Sequence, residues 1–195
     1  MSTKPSRRAH ARFFSSFTFG LAVASALALS TTANARQLGA IGAPHLGGCT
    51  NCNVFQLATA TGEPQYVVPH GKWTITHWGT QGGGSASGQS RLQVFRPTAT
   101  AGQFKLIARS NLETTHKNGH PYFATNIDVR GGDLLGFATV DNISSAYSTS
   151  VTGDNVKIVA CTVTGVGQRV GAGTSCALAD LAPELVNVRV KLIRR

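Results

Sequence analysis

From Phe55 to the C-terminus, short runs of β-branched and aromatic residues alternate with clusters of Gly, Pro, Asn and Asp. A helix needs an unbroken 3.6-residue pattern over three turns or so to bury a stripe, and a chain punctuated this often leaves almost no room for one. Short strands fit between the breaks. The predicted strands are 55–60, 65–69, 72–80, 91–97, 103–110, 121–129, 133–140, 157–164 and 185–193. The last is the clearest: Val186, Val188, Val190 and Leu192 fall on one face, while Asn187, Arg189 and Lys191 fall on the other. Val129-Arg130-Gly131-Gly132-Asp133-Leu134 places a Gly-Gly turn between two apolar runs, the best hairpin signal in the chain. Pro69-His70-Gly71 and Gly153-Asp154-Asn155 are further turns. Only Leu178 to Leu185 leaves room for a helical turn, and Pro183 limits it. About nine strands imply an all-β fold, a two-sheet antiparallel sandwich of jelly-roll or Greek-key type.

The N-terminus is read differently. Lys4 to Arg12 is basic, Phe17 to Leu29 is apolar and uncharged, and Thr31-Thr32-Ala33-Asn34-Ala35 ends in the small-x-small pattern that signal peptidase accepts. The expected division is a signal peptide over 1–35, a Gly-rich leader over 36–54 and a β-sandwich domain over 55–195. Cleavage after Ala35 would leave 160 of the 195 residues, enough for one domain with a substantial core. Phe13 to Ala35 is also long enough for an uncleaved anchor, though its Ser and Thr content argues against that. Arg7-Arg8 resembles a twin-arginine signal without the hydrophobic pair that should follow. Leu46-Gly47-Gly48-Cys49 has the look of a lipidation box but lies too far beyond the apolar run. No other segment is long enough to span a membrane.

Export brings Cys49, Cys52, Cys161 and Cys176 into an oxidising compartment, where an even count reads as disulfides. Three connectivities are open. The simplest joins Cys49 to Cys52 and Cys161 to Cys176, the second closing a loop worth about 3 kcal/mol of chain entropy. Cys49-Thr50-Asn51-Cys52 is alternatively a redox-active C-x-x-C, but the strand-like Asn53-Val54-Phe55-Gln56-Leu57 follows it where a helix is needed to activate the thiol. His45, Cys49 and Cys52 offer three zinc ligands without an obvious fourth.

Three blocks carry a resemblance: Val68-Pro69-His70-Gly71-Lys72-Trp73-Thr74-Ile75-Thr76-His77-Trp78, Leu92-Gln93-Val94-Phe95-Arg96-Pro97-Thr98, and Val129-Arg130-Gly131-Gly132-Asp133-Leu134-Leu135-Gly136. Over roughly residues 50–195 the chain resembles a set of exported bacterial proteins of unknown function, single β-rich domains behind a signal peptide. The resemblance implies fold and export, and no catalytic residue or ligand.

Catalytic motifs are missing from the sequence. Gly84-Ser85-Ala86-Ser87-Gly88 has Ala where a nucleophile elbow needs Ser, and Gly165-Val166-Gly167-Gln168-Arg169-Val170-Gly171 misses the dinucleotide spacing by one residue. No cofactor is expected. The acids Glu63, Glu113, Asp128, Asp133, Asp141, Asp154, Asp180 and Glu184 are scattered, and most of the Asp residues lie in turns. A spatially assembled glycosidase pair, or Ca²⁺ held by Asp133, Asp141 and Asp154, stays open as an alternative. His116 and His120, four apart across a turn, are weak candidates for a metal. Strict alternation puts Trp73, Ile75 and His77 on the core side of one strand, with His77 at its margin, and sends Trp78 with Thr74 and Thr76 to the polar face. There the Trp78 ring would stack on a sugar, unless the 81–90 loop buries it.

The formal charge is +10. Taking Lys4, Arg7, Arg8 and Arg12 from the 18 Lys and Arg leaves 14 against 8 acids, a net +6 dispersed over the domain apart from Arg189, Lys191, Arg194 and Arg195. No interleaving of basic and aromatic residues supports nucleic-acid recognition. The expectation is an exported, non-catalytic binding domain whose partner is a polysaccharide or anionic envelope polymer, contacted through Trp78 and His77. A small extracellular hydrolase and a structural envelope protein without a small ligand are the alternatives.

Overall fold

A computed structural model describes residues 34–42, 50–81, 87–116, 119–141, 146–148, 153–181 and 184–195. Fourteen strands are present: β1 Ala35–Ala40, β2 Asn53–Ala58, β3 Lys72–Gly79, β4 Gly88–Pro97, β5 Gln103–Arg109, β6 Glu113–Thr115, β7 Tyr122–Arg130, β8 Leu134–Thr139, β9 Ala146–Ser148, β10 Asn155–Val159, β11 Arg169–Gly171, β12 Leu178–Leu181, β13 Glu184–Val186 and β14 Val188–Arg194. The described residues contain no helix. Within Leu178 to Leu185, the stretch suspected of a helical turn, 178–181 form strand β12, antiparallel to β10, and 184–185 belong to β13.

Two antiparallel sheets carry the fold. One has four strands in the order β1-β14-β3-β7; the other has eight, ordered β11-β5-β4-β8-β2-β10-β12 with β6 on β4; β13 and β9 form a small separate pair. Eight of the nine expected strands recur with shifted bounds, 91–97 lengthened to Gly88–Pro97 and 185–193 divided into β13 and β14, while 65–69 contributes only an isolated bridge, Val67 to Leu134. The middle strands of the larger sheet are buried on both faces, as β8 shows along its whole length. Their alternate residues therefore feed two cores. Val54, Leu92, Val94, Leu135 and Phe137 pack between the sheets with Trp73, Ile75, Trp78, Val190 and Leu192. Phe55, Phe95, Phe104, Leu106 and Leu134 fill the concave side of the larger sheet. There Phe55 lies 4.6 Å from Phe95 and 4.8 Å from Phe104 between ring centroids. Gly136 is required beside that stack, because a Cβ there would sit 2.7 Å from Val54 O and 2.9 Å from the Phe95 ring.

Four sequence expectations are corrected. The described ends of the leader are strands of the domain: β1 is an edge strand that pairs Leu38 with Val190 and buries Leu38, and β2 begins at Asn53. Asn187 is not on a wet face but fully buried, where its Oδ1 accepts from Gly42 N and its Nδ2 donates to Gln81 O. The Gly131-Gly132 turn does not close a hairpin, because the strands on either side of it belong to different sheets. Its amides bond elsewhere, Gly131 N to Gly71 O and Gly132 N to Val68 O, while Asp133 is gripped by Arg96 of β4. The fourth correction is in β3. Ile75 pairs with Leu192 and His77 with Lys191, so Thr76 is an extra residue against β14, and the register against β7 shifts at the same point. A bulge inverts parity. Trp78 thereby returns to the core face shared by Trp73 and Ile75, and His77 turns out to solvent.

Candidate functional site

The inward residues of the four-stranded sheet are apolar, so charge collects on its outward alternates. Lys72 lies opposite Arg130, Thr74 opposite Asp128, Lys191 opposite His77, and Arg189 opposite Gly79. Arg195 continues β14, its N–H donating to Lys72 O at 3.1 Å and its Nη1 to Asp128 Oδ2 at 2.8 Å. One face thus gathers Lys72, Arg130, Arg189, Lys191 and Arg195 against a single carboxylate, Asp128. Like charges directly opposite one another across strands, as Lys72 and Arg130 are, destabilise a sheet. A chain that keeps them accepts a stability cost at this surface, as functional sites do.

At one end of the face is a cleft of about 280 Å³ lined by Lys72, Arg96, Arg130, Arg195, Asp128 and Trp73. Arg96 reaches it from the other sheet, held by a bidentate pair in which Nε meets Asp133 Oδ1 at 2.6 Å and Nη2 meets Oδ2 at 2.8 Å. That hydrogen-bonded carboxylate raises the Arg96 pKa above its ordinary value. Asp133 is spent on Arg96 and Asp128 on Arg195, whereas Lys72 and Arg130 have no ion pair among the described residues. At the far end Arg189 lies 4.9 Å from the centroid of the Tyr122 ring, which is 44% exposed. His77 stands between these ends, exposed, with Nδ1 3.1 Å from Thr76 Oγ1. The arrangement offers cations, threonine hydroxyls and an exposed ring along one sheet face.

The residues singled out from the sequence separate. His77 joins the basic face. Trp78 does not: it is 0% exposed and packs against Phe123 at 4.8 Å and Phe137 at 6.1 Å, so it presents no ring for stacking. Trp73 is core, donating from Nε1 to Pro69 O at 3.0 Å. His116 is exposed with Nδ1 3.0 Å from Ser87 Oγ, and no group of three or more His, Cys, Asp and Glu that would hold a metal occurs among the described residues. His45, Cys49 and residues 82–86 of the Gln81–Ser90 loop lie outside the described residues. Cys161 and Cys176 form a disulfide, with Cα atoms 5.2 Å apart. The three suggested Ca²⁺ ligands are separately engaged: Asp133 with Arg96, Asp141 accepting from Gln89 N, and Asp154 accepting from Ala60 N. Asp133 and Asp154 are the carboxylates buried here, and both fix turns.

Lys72 and Arg130 were not singled out in the sequence, where the charge looked dispersed. Their signal was the alternation itself, since polar residues at every second position of two paired strands must share a face. No family model, curated protein or solved structure matches the chain. Fold and site together define a two-sheet, all-β domain with one basic sheet face.

Proposed function

We propose that this chain is an exported, non-catalytic domain that binds an anionic cell-envelope polymer across the outer face of its four-stranded sheet. The carrying observation is the convergence of five cations on that face against one carboxylate, itself paired. A row of cations spread along one sheet face suits a repeating polyanion: carboxylates or phosphates along the chain would meet Lys72, Arg130, Lys191 and Arg189 in turn, and Thr74, Thr76 and His77 offer hydrogen bonds to sugar hydroxyls. Export is supported by the N-terminal pattern and by the disulfide, and no helix among the described residues is long and apolar enough to cross a membrane.

Two measurements test this. The triple variant Lys72→Glu/Arg130→Glu/Lys191→Glu is expected to lose at least about tenfold in retention on an insoluble polyanionic polysaccharide at low salt, because the attraction is Coulombic and reversal doubles each change. Native protein should also wash off as salt rises and should ignore a neutral glucan. Equal retention of the native and reversed proteins would sink the assignment of this face. Separately, the protein should be recovered outside the cytoplasm with its N-terminal sequence beginning at Arg36; recovery only from the cytoplasm would sink the export reading, and a start at Met1 would sink cleavage after Ala35. Because Ala35 is paired with Ile193 in the folded sheet, the processing must precede docking of β1.

A further inference from the structure

The larger sheet curls until its two end strands, β11 and β12, are joined by one short segment. Within that segment Gly171 N donates to Cys176 O at 2.7 Å, Ala160 N donates to Ala177 O at 2.9 Å, and the Cys161–Cys176 disulfide ties it to the end of β10. The sheet is thereby almost closed into a barrel, filled by the second core. Its open end is not filled. An open pocket of about 570 Å³ remains there, lined by Leu57, Phe104, Leu178, Gly171 and Ala172 together with Lys157. That size lies within the range that takes one small ligand. Gly171 keeps the wall close, since a Cβ would fall 2.2 Å from Gly102 O and 3.0 Å from Leu178 Cδ1.

The polar inventory of this mouth selects the ligand's chemistry. Thr174 Oγ1 donates to Gly171 O at 2.8 Å, and the carbonyls of Gly102 and Ala177 accept from Ala172 N and Ala160 N. The charged donor facing the cavity is Lys157. By register it stands between Phe55 of β2 and Asp180 of β12, so its stem crosses an apolar wall and its ammonium meets Asp180. The Lys157 side chain is 17% exposed and that of Asp180 58%. An ammonium has three donors, and Asp180 takes one from the solvent side.

We propose that this cavity binds a single-chain amphiphile with one carboxylate, its alkyl chain along Leu57, Phe104 and Leu178 and its head on Lys157 beside Asp180. The site is on the sheet that does not carry the basic face, so it stands or falls independently of polymer binding.

Titration calorimetry on the purified, oxidised full chain tests it with decanoate, decanol and decyltrimethylammonium. Decanoate should bind at least about tenfold more tightly than decanol, and the cation should not bind. Lys157→Met should bring decanoate down to the level of decanol, and Asp180→Asn, which leaves the apolar wall untouched, should tighten decanoate severalfold by freeing Lys157. Leu178→Trp should block both decanoate and decanol. Equal affinity for decanoate and decanol in the native protein, weaker decanoate binding by Asp180→Asn, or no binding to the folded chain would each overturn the proposal. Should Leu178→Trp fail to fold, as near-ultraviolet circular dichroism would show, the opposite signs of the Lys157→Met and Asp180→Asn effects still decide it.

Discussion

Replacing Trp78 with alanine is expected to destabilise the domain by about 3–5 kcal/mol, the cost of deleting a large aromatic ring from a close-packed core. Trp78 is fully buried, and removing its indole opens a cavity between Phe123, on the four-stranded sheet, and Phe137, on the larger one. Neither ring can collapse into that space without leaving its own strand. Trp78→Phe should cost much less, under about 2 kcal/mol, because the buried Trp78 Nε1 has no hydrogen-bond partner and phenylalanine removes that unsatisfied donor along with the extra ring. Denaturant midpoints at unchanged slope read both values. The same pair separates two roles for the residue. A folded Trp78→Phe protein should hold the polyanion as the native protein does, since the basic face lies on the other side of β3. A loss of less than 1 kcal/mol in Trp78→Ala with loss of binding would instead put the ring at the surface.

Trp78 also shows where the sequence was legible and where it was not. Alternation assigned strands well wherever pairing stayed regular, and Val188, Val190 and Leu192 are buried as their spacing implies. It assigned Trp78 to the wrong face because period-2 counting carries no mark for a bulge, and Thr76, the extra residue, is an ordinary strand former. The Gly131-Gly132 signal correctly located a sharp reversal; what decides between a hairpin and a corner is the long-range grip of Arg96 on Asp133 and of Val68 and Gly71 on the turn amides, none of which is local. β1 was missed because only Leu38 and the residues beside it are covered, too short a run to show a period, and β6, β9 and β11 are three-residue strands. The basic face was written in the sequence as single charges at alternate positions of β3, β7 and β14. It becomes a site only when those strands are paired, which is a statement about topology.

The Arg96–Asp133 pair connects stability to that site, and Asp133→Ala should move the two in opposite directions. Asp133 has a side chain 1% exposed, while that of Arg96 is 30% exposed. The carboxylate binds Arg96 through both oxygens and also accepts from Arg130 N at 2.8 Å, so it fixes the corner between the two sheets. Removing it strands a partly buried guanidinium and an amide, a loss of about 3 kcal/mol, at the low end for a broken buried pair because Arg96 retains some water. The released guanidinium lines the same cleft as Lys72, Arg130 and Arg195, and its charge is then no longer neutralised. Retention on a polyanion at low salt should therefore rise in Asp133→Ala while the unfolding midpoint falls. Arg96→Met/Asp133→Leu removes both charges and should recover part of the lost stability without the gain in retention, as replacement of a buried pair by apolar groups does. Parallel loss of stability and retention in Asp133→Ala would mean that the cleft needs its geometry more than its charge. Opposite movements would place polymer binding in the field of the Lys72, Arg96, Arg130 and Arg195 cluster, with Asp133 as the group that holds that field in check for the sake of the fold.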